Sequence, residues 1–192
     1  MDRYLEMPPR AEGGKAPGPL RSARFILVPI DNIISKLNRL SPLRKESLFR
    51  ISYHPFRGKP MLIADGTAVA NGEEVVEIHL NNGLVGRNAA HFWRLLSLAR
   101  GELTFMAQNL DSGRARAVYG VTIHHALAAR LGFETRPLPR TFHSSLVRFF
   151  LTWMLIAYHP RRERRLGQGR HPLEAREVWM SLAYLKQHYA AT

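Results

Sequence analysis

Apolar and polar positions alternate in short blocks through the first half of the chain and recur at helical spacing through the second. Met61-Leu-Ile-Ala64 is followed by Asp65-Gly66, Thr67-Ala-Val-Ala70, Asn71-Gly72 and Glu73-Glu-Val-Val-Glu-Ile-His-Leu80. Asp-Gly and Asn-Gly between apolar runs signal hairpins, because type I′ turns need positive φ at both central residues. The block therefore predicts a three-stranded antiparallel meander. Ser47 to Tyr53 alternates as a further strand, and Pro55 to Lys59 reads as a turn. Phe25–Val28 reads as a short strand. It leads into a helix over Pro29–Leu40, where Ile30, Ile33, Ile34 and Leu37 fall at i, i+3, i+4 and i+7.

Downstream the period changes. Asn88 is placed to cap a helix running to about Leu110, with Phe92, Leu96, Ala99, Leu103, Met106 and Leu110 as its apolar stripe. Gly101 inside it costs about 1 kcal/mol relative to alanine, which points to a bend or a close helix contact. Val118 to Val121 is a strand or a tight connection. Thr122 to Leu131 reads as a short helix, with Gly132 at the left-handed C′ position, Phe133 as its hydrophobic partner and Phe133–Arg136 extended. A helix over Ser144–Tyr158, a basic loop over Arg161–Arg170 and a last helix behind Pro172 complete the pattern. The last helix takes Val178, Trp179, Leu182, Leu185 and Tyr189 as its stripe. Strands early and helices late predict one α+β domain over residues 24–192. In it a small antiparallel β-meander sheet packs against four to five α-helices. Residues 1–23, rich in Pro and Gly, read as a flexible tail.

Composition adds two constraints. There is no cysteine, which excludes disulfides and thiolate chemistry. The net charge is +13, and it is lopsided: residues 1–82 carry 12 Lys and Arg against 9 Asp and Glu, residues 83–192 carry 16 against 6. Such a field attracts anions. No apolar run precedes Phe25, so neither a secretory signal nor an anchor is expected there, and the expected location is the cytoplasm with peripheral membrane contact.

The polar side of the third meander strand is the candidate site. Side chains alternate across a strand, so Glu77, His79 and Asn81 share one face while Val76, Ile78 and Leu80 share the other. An ideal register sets Met61, Ile63 and Val75 beside Glu77 and His79, so that face is only partly wet. A half-buried glutamate two residues from a histidine can raise its pKa and poise it near neutrality. Glu77, His79, Asn81 and Asn82 are thus read as a ligand or proton-transfer site, against the plain alternative of a solvated strand face.

Other chemistry is weaker. Glu77-x-His79 offers two metal ligands with His91 or His124 as a third, yet there is no H-E-x-x-H motif, and neither a metal nor a cofactor is expected. A two-carboxylate glycosidase would draw on Glu73, Glu74, Glu77 and Glu102, with nothing to select a pair. Leu131-Gly-Phe-Glu134 and Arg164-x-x-Gly167-x-Gly169 look like parts of an acetyltransferase, but in the wrong order. From Leu146 to Tyr158 only Arg148 and Thr152 are polar. That run is too short to span a bilayer and fits a core or an interfacial helix. With Arg161, Arg162, Arg164 and Arg165 beside it, anionic lipid is a possible partner for helix 146–158 and the Arg161–Arg170 loop. Nucleic acid is not expected, since no helix-turn-helix, zinc-finger, OB or RNP pattern is present.

Several stretches together resemble the YkoP-like family of bacterial proteins. They are Tyr53 to Gly58 leading into Asp65-Gly-Thr67, Glu77-Ile-His-Leu-Asn-Asn82, Tyr119-Gly-Val-Thr122, Leu131-Gly-Phe-Glu134 and Glu177-Val-Trp-Met-Ser181. Their order and spacing cover most of residues 25–190. The family occurs alone and as an extension of polysaccharide-deacetylase-like proteins. The resemblance therefore implies an accessory or ligand-binding domain linked to cell-envelope polysaccharide, with polysaccharide or a deacetylase-like protein as partner. It supplies no catalytic residues, and the paired-Asp and His-x-x-x-His metal motifs of the deacetylase are absent here. A small enzyme using Glu77 and His79, and a membrane-surface protein, are the alternatives.

Overall fold

The computed structural model describes residues 40–81, 83–85, 92–111, 113–139, 145, 147, 151 and 174–190. The tail over 1–23, the strand at 25–28, the helix over 29–40 except its last residue, the capping Asn88 and the Arg161–Arg170 loop lie outside them. Of the helix expected over 144–158, Ser145, Val147 and Leu151 are described, and all are helical.

Among the described residues eight strands form two sheets. β1 (Ser41–Pro42), β2 (Phe49–Pro55), β5 (Glu74–Leu80), β6 (Ala117–Thr122), β7 (Glu134–Pro137) and β8 (Arg176–Ser181) make a six-stranded sheet in the order β1-β2-β5-β6-β8-β7. β3 (Met61–Leu62) and β4 (Ala68–Val69) make a separate two-stranded one. Within the large sheet β5 and β6 run parallel and all other neighbours antiparallel. Three helices are described in full: α1 (Phe92–Asn109), α2 (His125–Arg130) and α3 (Leu182–Tyr189). The class is mixed α and β, but the sheet is not the antiparallel meander that the turn signals predict.

The reason lies in the second turn. Gly72 takes positive φ (90°) while Asn71 does not, and Glu73 N–H reaches Ala70 O at 3.2 Å. This is a type II turn rather than I′, and type II geometry splays the flanking strands. The chain leaves the hairpin there. Phe56 takes up both Gly72 and Glu73 through backbone bonds of 2.8 Å, which leads β5 onto β2.

A second correction concerns residues 176–181, which the apolar stripe assigns to the last helix. They form β8, and the helix starts only at Leu182. Val178 and Met180 face the helices while Trp179 faces the hairpin, so both sides of the strand are buried and neither period stands out. Ser181 ends the strand in extended geometry and caps α3, its Oγ accepting Tyr184 N–H at 2.9 Å.

The sheet has two unlike faces. Val76, Val118, Val178 and Met180 pack on Leu96, Ala99, Leu103 and Met106 of α1, with Ala128 of α2 and Leu185 of α3 completing the core. On the opposite face Val75, Ala117 and Trp179 meet Ile63 and Val69 of the hairpin. Met61 packs there too, so the hairpin covers part of the face that carries Glu77 and His79. It is pinned by Ser181 Oγ–H donating to Asp65 Oδ2, by Ala64 N–H on Glu134 Oε2 at 2.7 Å, and by an Arg136 guanidinium N–H on Leu62 O.

The α2 terminus follows the expected pattern. Gly132 has φ 82°, its N–H bonds Ala129 O, and Phe133 N–H bonds Ala128 O, both at 3.1 Å. This Schellman cap explains Leu131-Gly-Phe-Glu134 as a helix end feeding β7.

Candidate functional site

Register places the site. On the hairpin side of the sheet, Ser52 of β2 is opposite Glu77 and Arg50 is opposite His79, while Glu77 is also level with Tyr119 of β6. Tyr119 in turn pairs with Trp179 of β8, and Val121 with Glu177. Because alternation puts these residues on one face, His54, Glu77, His79, Tyr119, Glu177 and Trp179 form a polar and aromatic band beyond the hairpin.

Its centre is Glu77, a half-buried carboxylate gripped from both sides. His54 Nε2 lies 3.1 Å from Oε2 and His79 Nε2 lies 3.0 Å from Oε1. Both Nε2 atoms are shielded from solvent, and each contact is an ion-pair approach without the alignment of a linear hydrogen bond. Burial would push the Glu77 carboxyl up, but the contact and charge of His79, followed by those of His54, outweigh it and hold the group below its ordinary range. His54 Nδ1 also lies 3.2 Å from Pro55 O.

Tyr119 and Glu177 form the second half. Burial, then the charges of Glu177 and Glu77, push the Tyr119 phenol far above its ordinary value. It therefore stays a neutral O–H donor at physiological pH. Trp179 lies under it, with ring centroids 4.4 Å apart, and its indole N–H donates to Glu177 Oε2 at 3.2 Å. Phe56 packs edge-on against the same indole at 5.5 Å. The band thus offers two carboxylates, two imidazoles and a phenol, held by an aromatic floor.

The predicted site residues separate in this arrangement. Glu77 and His79 come together. Asn81 sits just past β5 with its amide turned to the backbone, Nδ2 on Ser47 O and Oδ1 on Leu84 N, both at 3.4 Å. Asn82, His91, Arg161, Arg162, Arg164 and Arg165 lie outside the described residues. His124 lines a cavity of about 50 Å³ on the helix side, across the sheet from Glu77. Among the described residues no three His, Asp or Glu side chains gather as metal ligands. The remaining glutamates have structural partners. Glu73 pairs with Arg116 and Glu74 with Arg114, while buried Glu102 of α1 takes Arg44 Nη2 at 3.0 Å and the Ser47 hydroxyl.

His54, Tyr119, Glu177 and Trp179 escape a reading of the meander alone, because strands distant in sequence bring them in. The available signal was the resemblance itself, whose stretches 53–58, 119–122 and 177–181 contain all four. The family model for the YkoP domain matches residues 21–189. The chain belongs to the YkoP domain family. Neither the curated proteins nor the solved structures contain a match to it. Among the described residues of this YkoP domain, no helix is long and apolar enough to cross a membrane.

Proposed function

We propose that this YkoP domain is a ligand-binding module for a polyhydroxylated ligand, a saccharide of the bacterial cell envelope, taken on the open sheet face. The observation that supports the reading is the alternation of acceptors and donors there: Glu77 and Glu177 accept, while Tyr119 and His79 donate. Vicinal hydroxyls need such pairs. Family membership supports the envelope setting through the association with polysaccharide-deacetylase-like proteins, which would then be the partner.

A second reading is favoured by one detail, the imidazole on each oxygen of Glu77. A carboxylate between two histidines can pass a proton along its length, as a general acid–base enzyme requires. Attachment to acidic lipid through helix 146–158 and the Arg161–Arg170 loop, in a cytoplasmic protein, belongs to the same proposal as a means of location.

The test is a titration of isotope-labelled protein with envelope-derived oligosaccharides, followed by NMR. Amide shifts confined to 52–54, 75–80, 117–121 and 176–180, and lost in His79→Ala and Tyr119→Phe with unchanged melting, are expected. Shifts elsewhere, or shifts that survive both substitutions, defeat the binding reading. A sugar that is chemically altered by wild type and left intact by Glu77→Gln moves the assignment to the enzyme.

A further inference from the structure

On the far side of the molecule from this band, α1 turns an unusual set of side chains outward. Trp93, Ser97 and Arg100 fall at i, i+4 and i+7, one face of the helix. They share a hollow of about 300 Å³ with Leu96 and with Arg130, the last residue of α2. That is the lower end of the size of small-molecule sites.

Three observations point to an anionic occupant. Trp93 is 70 % exposed, yet Phe92 holds it edge-on at 5.5 Å. The Arg130 guanidinium rests over both rings, 5.5 Å from Phe92 and 5.7 Å from Trp93, so it is positioned before any ligand arrives. Among the described residues Arg44, Arg114, Arg116, Arg136 and Arg176 each have a carboxylate partner. Arg100 and Arg130 have none there, although they line one hollow.

We propose that this hollow binds a phosphate ester carried on a ring-bearing body. A phosphate offers enough oxygens for two guanidinium forks, and its double charge matches two cations where a carboxylate matches one. The Ser97 hydroxyl stands in the same wall to bond a remaining oxygen. Trp93 supplies a flat apolar surface for the attached ring.

A phosphate ester can come from a soluble sugar phosphate or from a lipid headgroup, and the experiment separates the two. The full chain is titrated calorimetrically with inorganic phosphate and with glucose 6-phosphate, and is sedimented at low salt with vesicles containing phosphatidic acid, whose headgroup is a phosphate monoester. Expected is binding in the soluble arm, weakened about tenfold by each of Arg100→Gln and Arg130→Gln. Trp93→Ala should weaken glucose 6-phosphate more than inorganic phosphate, because the ester loses the flat surface as well as part of the support for Arg130. Binding in the vesicle arm alone, abolished by the same arginine substitutions, assigns the ester to a lipid and still supports the site. Both arginines are exposed, so the variants should melt with wild type. Absence of binding in both arms, or binding indifferent to the double Arg100→Gln, Arg130→Gln variant, overturns the proposal.

Discussion

The properties of Glu77 follow from a contest between burial and two imidazoles. Taken out of water, a carboxyl resists ionisation, but His79 and His54 at about 3 Å reverse the outcome and leave the carboxylate favoured. A carboxyl whose folded-state pKa is depressed stabilises the fold fully above its unfolded value, here 4.5, and loses that contribution as pH falls through the folded value. Glu77→Gln should therefore be less stable than wild type at neutral pH. The gap should close as pH drops below 4.5. Urea midpoints of the two proteins, measured from neutrality into acid, check this, and a gap that widens in acid would contradict the assignment. The half-buried carboxylate beside His79 was legible from residues 73–80, because strand alternation is strictly local. Its direction of shift was not. The sequence reading raises the Glu77 value on burial alone, since the second imidazole, His54, arrives from a strand more than twenty residues earlier.

At the scale of elements, two glycines separate what a helix needs from what it tolerates. Gly132 holds φ at 82°, and a β-carbon there would come within 2.9 Å of the Tyr184 ring. Gly101 lies on the exposed side of α1 with nothing within 4 Å of its absent β-carbon. Among the described residues its helix therefore makes no close contact there, contrary to what an interior glycine suggests. Gly132→Ala is expected to cost about 1–3 kcal/mol, while Gly101→Ala should add about 1 kcal/mol from helix propensity. Thermal and urea unfolding of the two variants should move in opposite directions. Ser181 joins three elements at once, closing β8, capping α3 and donating to Asp65 of the hairpin. Ser181→Ala should cost about 1–2 kcal/mol through the lost cap. It should also speed hydrogen exchange at Ile63, whose amide bonds Thr67 O within the hairpin. Unchanged exchange at Ile63 would mean that Glu134 and Arg136 alone hold the strap. The Gly132 cap was legible beforehand, but the Ser181 junction was not. Both faces of 176–181 are buried, and a strand so placed shows neither a period of two nor one of 3.6.

Viewed whole, the molecule sorts its chemistry by face. The described part of the open sheet face holds Glu77, Glu134 and Glu177 with their histidine, arginine and indole partners, whereas the α1–α2 side presents Arg94, Arg100 and Arg130. The turn signals located the hairpin but not the sheet, because pairing partners such as β5 and β6 are set by long-range register, which no local pattern encodes. The charge excess, by contrast, was plain from composition, and it makes a prediction about stability. Compacting a chain of net charge +13 brings like charges together, which opposes folding. The favourable pairs are mostly exposed ones such as Arg116–Glu73 at 2.9 Å, each worth about 0–1 kcal/mol. Repulsion summed over the surface should therefore outweigh attraction summed over pairs. Added salt screens both, so raising sodium chloride from about 0.05 M to about 0.5 M should increase the thermal midpoint. Chloride is the appropriate salt, since sulfate would strengthen apolar burial as well and confuse the reading. A midpoint that falls with salt would show that the ion pairs, including the Glu77 cluster, contribute more to this fold than its unbalanced arginines take away.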